Sequence, residues 1–224
     1  MRSIEDRVRA LSQRAEFFLV ITISFGYFIA TSLSVLLKGA RRLELTAPGT
    51  LIGIATEILI LLVVGWILRV RGRQLTQLTG RPTAPSILAG FPLFFGYYCL
   101  YGVASLTIAT LFPKLMNFPA VRVVPSAPAL LLLAMIVLNS LFEELLVTGY
   151  VVTALSDQGA ALAITASTLL RFLYHLYQGP IAAFSILPLG LLFAAVFWKW
   201  RDLWPLMTAH TLANVIALLL YSRS

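Results

Sequence analysis

Cysteine occurs once in the chain, at Cys99, inside an apolar run, so an intramolecular disulfide and a thiolate metal cluster are both excluded. Charge is also scarce. Only 12% of the 224 residues are charged, with 17 Lys and Arg against 9 Asp and Glu, and histidine occurs twice, at His175 and His210. Low-complexity tracts, internal repeats and cofactor-binding motifs are missing, and only Lys38–Thr50, Arg69–Pro85 and Pro113–Ala127 are loops of any length. This pattern implies one compact domain rather than several joined by linkers.

What is abundant is apolar sequence. Hydrophobic residues make up 59% of the chain, well above the roughly 45–50% of soluble domains. A hydrocarbon layer of ~30 Å takes about 20 helical residues to cross. Runs of about that length are Phe17–Leu37, Leu51–Leu68, Ser86–Phe112, Pro128–Leu155, Ala160–Gln178, Ile181–Trp198 and Leu203–Tyr221. Lipid cannot satisfy backbone N–H and C=O groups, so such runs become helices or closed barrel strands. Continuous runs without alternation exclude the barrel. The expected fold is therefore all-α, a polytopic bundle of about seven spans. A cytosolic interfacial segment, residues 1–15, would precede a single membrane domain over 16–224.

The formal charge of +8 does not point to nucleic acid, because the basic residues flank the spans, where anionic headgroups and the insertion rule account for them. With the N-terminus inside, Arg2, Arg7, Arg9, Arg14, Arg69, Arg71, Arg73, Arg81, Lys199 and Arg201 fall on the cytoplasmic side. Lys38, Arg41, Arg42, Lys114, Arg122 and Arg223 fall on the other. The excess sets the expected orientation. No cleavage site follows the basic N-terminal segment, and the first run is too long for a signal-peptide core, so it is read as a retained anchor.

A charged side chain near the bilayer centre costs a few kcal/mol, so each one needs a partner or a purpose. The intramembrane candidates are Glu57, Glu143, Glu144, Arg171, His175 and His210, with Asn139, Thr148 and Asn214 nearby in sequence. Residues three or four apart share a helix face, so Asn139 and Glu143 in "NSLFE", Arg171 and His175 in "RFLYH", and His210 and Asn214 in "HTLAN" form polar stripes on three spans. Glu143 and Glu144 diverge by about 100° and cannot share a role. Counted from the cytoplasmic ends of their spans, Glu143, His175 and His210 lie at depths of about 18, 24 and 12 Å, which tilt brings together near mid-membrane. Glu57, close to the end of the second span, is read as snorkelling or pairing with a loop cation, outside the site. Pro92, Gly96 and Gly102 are read as marks of kinks and close helix contacts.

One carboxylate and two imidazoles in a dry pocket have three uses. They activate water, with Glu143 as general base. They bind a divalent metal such as zinc through Glu143, His175 and His210. They relay protons in a transporter. Spacing alone does not choose.

The ordered set "EELLVTG", "RFLYH" and "HTLAN" resembles the three motifs of the CAAX prenyl protease and bacteriocin-processing family of intramembrane proteases, also called the Abi family. The family pattern is EExxxR, FxxxH and HxxxN or HxxxD. Glu143 and Glu144 match the paired acids, His175 the second motif's histidine, and His210 with Asn214 the third motif. The likeness covers about the last hundred residues, with the motif core at 128–221. It implies peptide-bond hydrolysis of a membrane-associated peptide or protein within the bilayer. In that scheme Glu143 and His175 activate water and His210 and Asn214 donate to the oxyanion. No cofactor is favoured, since Asn is a poor metal ligand, and zinc remains the alternative. Thr148 stands where the pattern has Arg, and Arg171 stands where it has Phe. Arg171 reaching from the fifth span to Glu144 would compensate for the missing cation. Gly149 lets a neighbouring helix approach. The short chain and simple loops fit a prokaryotic inner-membrane protein. The rivals are a catalytically lost member that binds a partner or confers immunity, and a proton-coupled transporter.

Overall fold

In the absence of water each apolar run must close its own backbone hydrogen bonds, and each does so as a helix. The computed structural model describes residues 3–38, 42–117 and 122–221. Arg2, Arg41 and Arg223 of the charge asymmetry therefore lie outside the described residues, as do the side chains of Arg42 and Arg122. The helices corresponding to the apolar runs are, in order, Gln13–Lys38, Ala47–Val70, Ala84–Leu111, Ala129–Ala154, Ala160–His175, Ile181–Trp200 and Trp204–Tyr221. Five of them are long and apolar enough to cross a membrane. The fifth and seventh, which carry "RFLYH" and "HTLAN", are shorter, at 16 and 18 residues. The protein is an integral membrane protein built as an all-α bundle.

Local signals set the helix starts. Ser3 and Asp6 form a reciprocal capping box ahead of the short helix Ile4–Arg9, and the Ser3 hydroxyl and N–H hold the Asp6 carboxyl below its usual pKa. Thr46 caps the second helix and Thr83 the third, each followed by a proline in the first turn. The third helix is interrupted for one residue at Ala89, ahead of Gly90. A Cβ on Gly90 would lie 2.5 Å from Thr208 Cβ, so the seventh helix rests directly on the backbone there. Gly96 and Gly102 face open space instead. The expected close contact in this helix is therefore made at Gly90.

The fourth helix is the centre of the bundle. From Phe142 to Val152 every residue is buried. One apolar layer, with Val20 and Phe25 of the first helix and Val64, Ile67 and Leu68 of the second, packs on one side of it. A second layer, with Leu189, Phe193 and Phe197 of the sixth helix and Leu206 of the seventh, packs on the other. Leu203 fills the space beside Gly149, where a Cβ would meet it at 2.8 Å. Side chains such as Phe18, Leu59, Phe95 and Leu130 are exposed, which in this bundle means facing lipid.

One element departs from the all-helical expectation. The loops leaving the first and third helices pair as two short parallel strands, Arg42–Leu45 and Arg122–Pro125. Their backbone groups, outside helices, gain partners this way.

Glu16, on the first helix and almost fully buried, accepts from Arg71 Nε at 2.8 Å, Arg73 Nη1 at 3.2 Å and the Tyr150 hydroxyl at 3.3 Å. Arg71 also donates to the Arg9 carbonyl at 2.7 Å, so one carboxylate ties four segments at one end of the bundle. Removing it strands two cations that still reach solvent. Glu16→Ala is therefore expected to cost about 1–3 kcal/mol, read as a lower Tm in detergent with little effect on any activity that depends on Glu143.

Candidate active site

The two adjacent acids sit where the fourth helix changes its winding. The α-helix runs to Glu143, and Glu144–Tyr150 continues as a π-helix. A π turn inserts extra backbone per turn, a local cost usually found where side chains must be re-aimed. Here it follows the paired acids directly.

Glu144 is completely buried and both its carboxylate oxygens have hydrogen-bond partners. Oε1 accepts from Arg171 Nη2 at 2.8 Å and lies 2.7 Å from His210 Nδ1, and Oε2 accepts from Thr148 Oγ1 at 2.7 Å. Thr148 in turn accepts from Arg171 Nη2 at 3.2 Å, which uses its single hydroxyl as both donor and acceptor. Thr148, in the position the family pattern gives to Arg, thus becomes a relay between Glu144 and a guanidinium from the fifth helix.

Arg171 is fully buried and bridges both acids, donating from Nη1 to Glu143 Oε2 at 3.2 Å as well as to Glu144. Its guanidinium carbon lies 5.9 Å from the centre of the Phe193 ring. Glu143 is bound differently. The Tyr174 hydroxyl donates to its Oε2 at 2.5 Å, and His210 Nε2 stands 3.9 Å from the same oxygen. Both hydrogen bonds converge on Oε2, leaving Oε1 with none from the described residues. One guanidinium therefore serves two carboxylates, and the shorter ion pair belongs to Glu144.

His175 ends the fifth helix, and its Nδ1–H donates to the Arg171 carbonyl at 2.9 Å. That bond leaves Nε2 as the basic nitrogen. The ring is buried against Tyr174, 4.5 Å between centres, and lies within electrostatic range of Glu143, Arg171 and His210. Asn214 follows His210 by one turn on the seventh helix, half-buried and outside the hydrogen bonds that join the acids.

Two neighbours were not expected from the sequence. Tyr174 shares a helix face with Arg171 at a spacing of three and touches Glu143 directly. Glu57 does not snorkel to the interface. It is buried, accepts from Asn139 Nδ2 at 2.8 Å, and lines a small cavity together with Glu143. The clue in the sequence was an unpaired acid in an apolar span, the criterion that singled out Glu143.

Arg171 donates to both carboxylates, and among the described residues no three His, Cys, Asp or Glu side chains gather as a metal-binding group.

Residues 125–216 match the family model described as type II CAAX prenyl endopeptidase Rce1-like. The matched stretch contains Glu143, Glu144, Thr148, Arg171, His175, His210 and Asn214. No curated protein and no solved structure matches the chain.

Proposed function

We propose, from the match of residues 125–216 to the family model of Rce1-like type II CAAX prenyl endopeptidases, that the chain cleaves a membrane-associated peptide with water activated by Glu143. The observation that carries this reading is the unequal division of Arg171. Both oxygens of Glu144 are hydrogen-bonded, whereas Glu143 keeps Oε1 without a hydrogen bond among the described residues. A buried carboxylate in that state is a proton acceptor aimed at whatever water reaches it.

The reaction balances as follows. Water attacks the scissile carbonyl carbon and its proton passes to Glu143, while the basic Nε2 of His175 accepts the second water hydrogen in a hydrogen bond. The oxyanion takes hydrogen bonds from the Asn214 amide and from His210 Nε2 in its imidazolium form, whose charge is countered by Glu144. Collapse breaks the C–N bond, and Glu143 returns its proton to the leaving amine. Tyr174 and Arg171 hold Glu143 in place throughout. No step calls for a metal. The chemistry requires a substrate peptide bond brought to mid-membrane depth. Prenylated CAAX tails, bacteriocin-type peptides and membrane-protein tails all meet that requirement.

The test uses quenched fluorogenic peptides, prenylated and unprenylated, with the protein in proteoliposomes. Cleavage is expected to survive a strong chelator. Asn214→Ala is expected to lower kcat by about 10- to 1,000-fold, the effect of losing one oxyanion donor, with KM and Tm little changed. Loss of cleavage on chelation, or none by the wild type with any peptide of the library, defeats the proposal.

A further inference from the structure

Beside the paired acids lies a third buried carboxyl, that of Glu57, which the proposed reaction leaves unused. Glu57 reaches inward from the second helix, 6% exposed. Its Oε1 is fixed by Asn139 Nδ2 at 2.8 Å, whereas its Oε2 is fully buried and has no hydrogen-bond partner among the described residues. An orphaned carboxylate oxygen in hydrocarbon surroundings costs several kcal/mol, and a carboxylate leaves such an oxygen bare only where something polar meets it.

Beside it lies a cavity of about 30 Å³ lined by Glu57, Asn139, Glu143 and Tyr174, with Phe25 and Phe28 closing the wall. That volume exceeds the 10–15 Å³ or so that one water needs. A water there has polar partners on both sides. Glu57 and Glu143 are near enough for their charges to interact. Asn139 and Glu143 share one face of the fourth helix at a spacing of four, so the helix that carries the base also carries the clamp on Glu57.

We infer that Glu57, clamped by Asn139, is a further positioning residue for the hydrolytic reaction: it anchors a water in this cavity that orients the Glu143 carboxylate. The inference rests on the proposed role of Glu143. Arg171 and Tyr174 fix Oε2 of that carboxylate from the fifth helix, and the anchored water fixes it from the opposite side. The plane of the base is then set at both ends before substrate arrives. A misplacement of about 1 Å in such a group is enough to cost two orders of magnitude in rate.

Four variants in proteoliposomes, assayed on the fluorogenic peptide the wild type cleaves best, give the test. Glu57→Leu removes the anchor and is expected to lower kcat by about 10- to 100-fold with KM and Tm unchanged. Glu57→Gln still hydrogen-bonds a water and is expected to stay within about threefold of wild type. Asn139→Ala keeps both acids but frees Glu57, and is expected to reproduce part of the kcat loss should Glu57→Leu fold poorly. Glu143→Gln in the same series separates the two claims. Should it remain active, the underlying reading fails. Should it be inactive while Glu57→Leu and Asn139→Ala keep full kcat, only the role of Glu57 is overturned. A fall of Tm in parallel with kcat in both Glu57→Leu and Asn139→Ala, or a Glu57→Gln as slow as Glu57→Leu, also overturns it.

Discussion

Glu143→Gln is expected to lower peptide cleavage by about 10³-fold or more, toward the upper range for loss of a general base, while leaving the protein folded. The two halves of this expectation come from the same geometry. The substitution keeps the shape of the side chain and an oxygen for Tyr174 and Arg171, so packing is conserved. It also removes one of two negative charges that share a single guanidinium, which in a low-dielectric interior relieves repulsion. Tm is therefore expected to hold or rise. The neighbouring Glu144→Gln reverses the pattern. It strips the closer counterion from a fully buried Arg171 and disturbs contacts to His210 and Thr148. Its expected signature is a stability loss of about 3–5 kcal/mol. Adjacent acids with opposite phenotypes, one stable and inactive, the other unstable, are what the division of labour requires. Thermal unfolding in detergent beside the cleavage assay reads both.

The second large effect concerns Arg171. Arg171→Leu leaves Glu143 and Glu144 buried together with no cation, and the expected cost is again about 3–5 kcal/mol, enough to deplete the protein from membranes. The structure also indicates the remedy. Thr148 Oγ1 is within 3.2 Å of Arg171 Nη2, so the residue at 148 already touches the place where the guanidinium sits. Thr148→Arg combined with Arg171→Phe moves the cation to the fourth helix and sets an aromatic side chain near Phe193, as in the family pattern. This double variant is expected to recover most of the stability lost in Arg171→Leu and a measurable share of the cleavage. If Thr148→Arg/Arg171→Phe is as unstable as Arg171→Leu alone, the two positions are not exchanging one role.

The bundle was legible because lipid leaves so few options. Unbroken apolar runs must be helices, and the few charges within them must find one another, which marked Glu143, Glu144, Arg171, His175 and His210 before any coordinates. The pairing of Arg171 with Glu144 could be anticipated because a missing cation at 148 and an extra one at 171 are two parts of one balance. Other features lay beyond such reasoning. "RLEL" and "RVVP" are four residues each, too short for an alternation signal, and they pair only because two distant loops meet. The π turn after Glu143 has no composition of its own. Tyr174 carries no signal of its own in the sequence because its partner, Glu143, sits on another helix. Glu57 was set aside on depth counted along its own helix, although its environment is decided by the Asn139 side chain facing it.

The most direct test of water attack activated by Glu143 is a single-turnover cleavage started in water enriched in heavy oxygen, with the product peptide weighed by mass spectrometry. Direct attack places one heavy oxygen in the new C-terminal carboxylate in the first turnover, and Glu143→Gln yields no such product. First-turnover product with only light oxygen would mean that the enzyme's own carboxylate had supplied the oxygen, and that result would contradict a base acting on water.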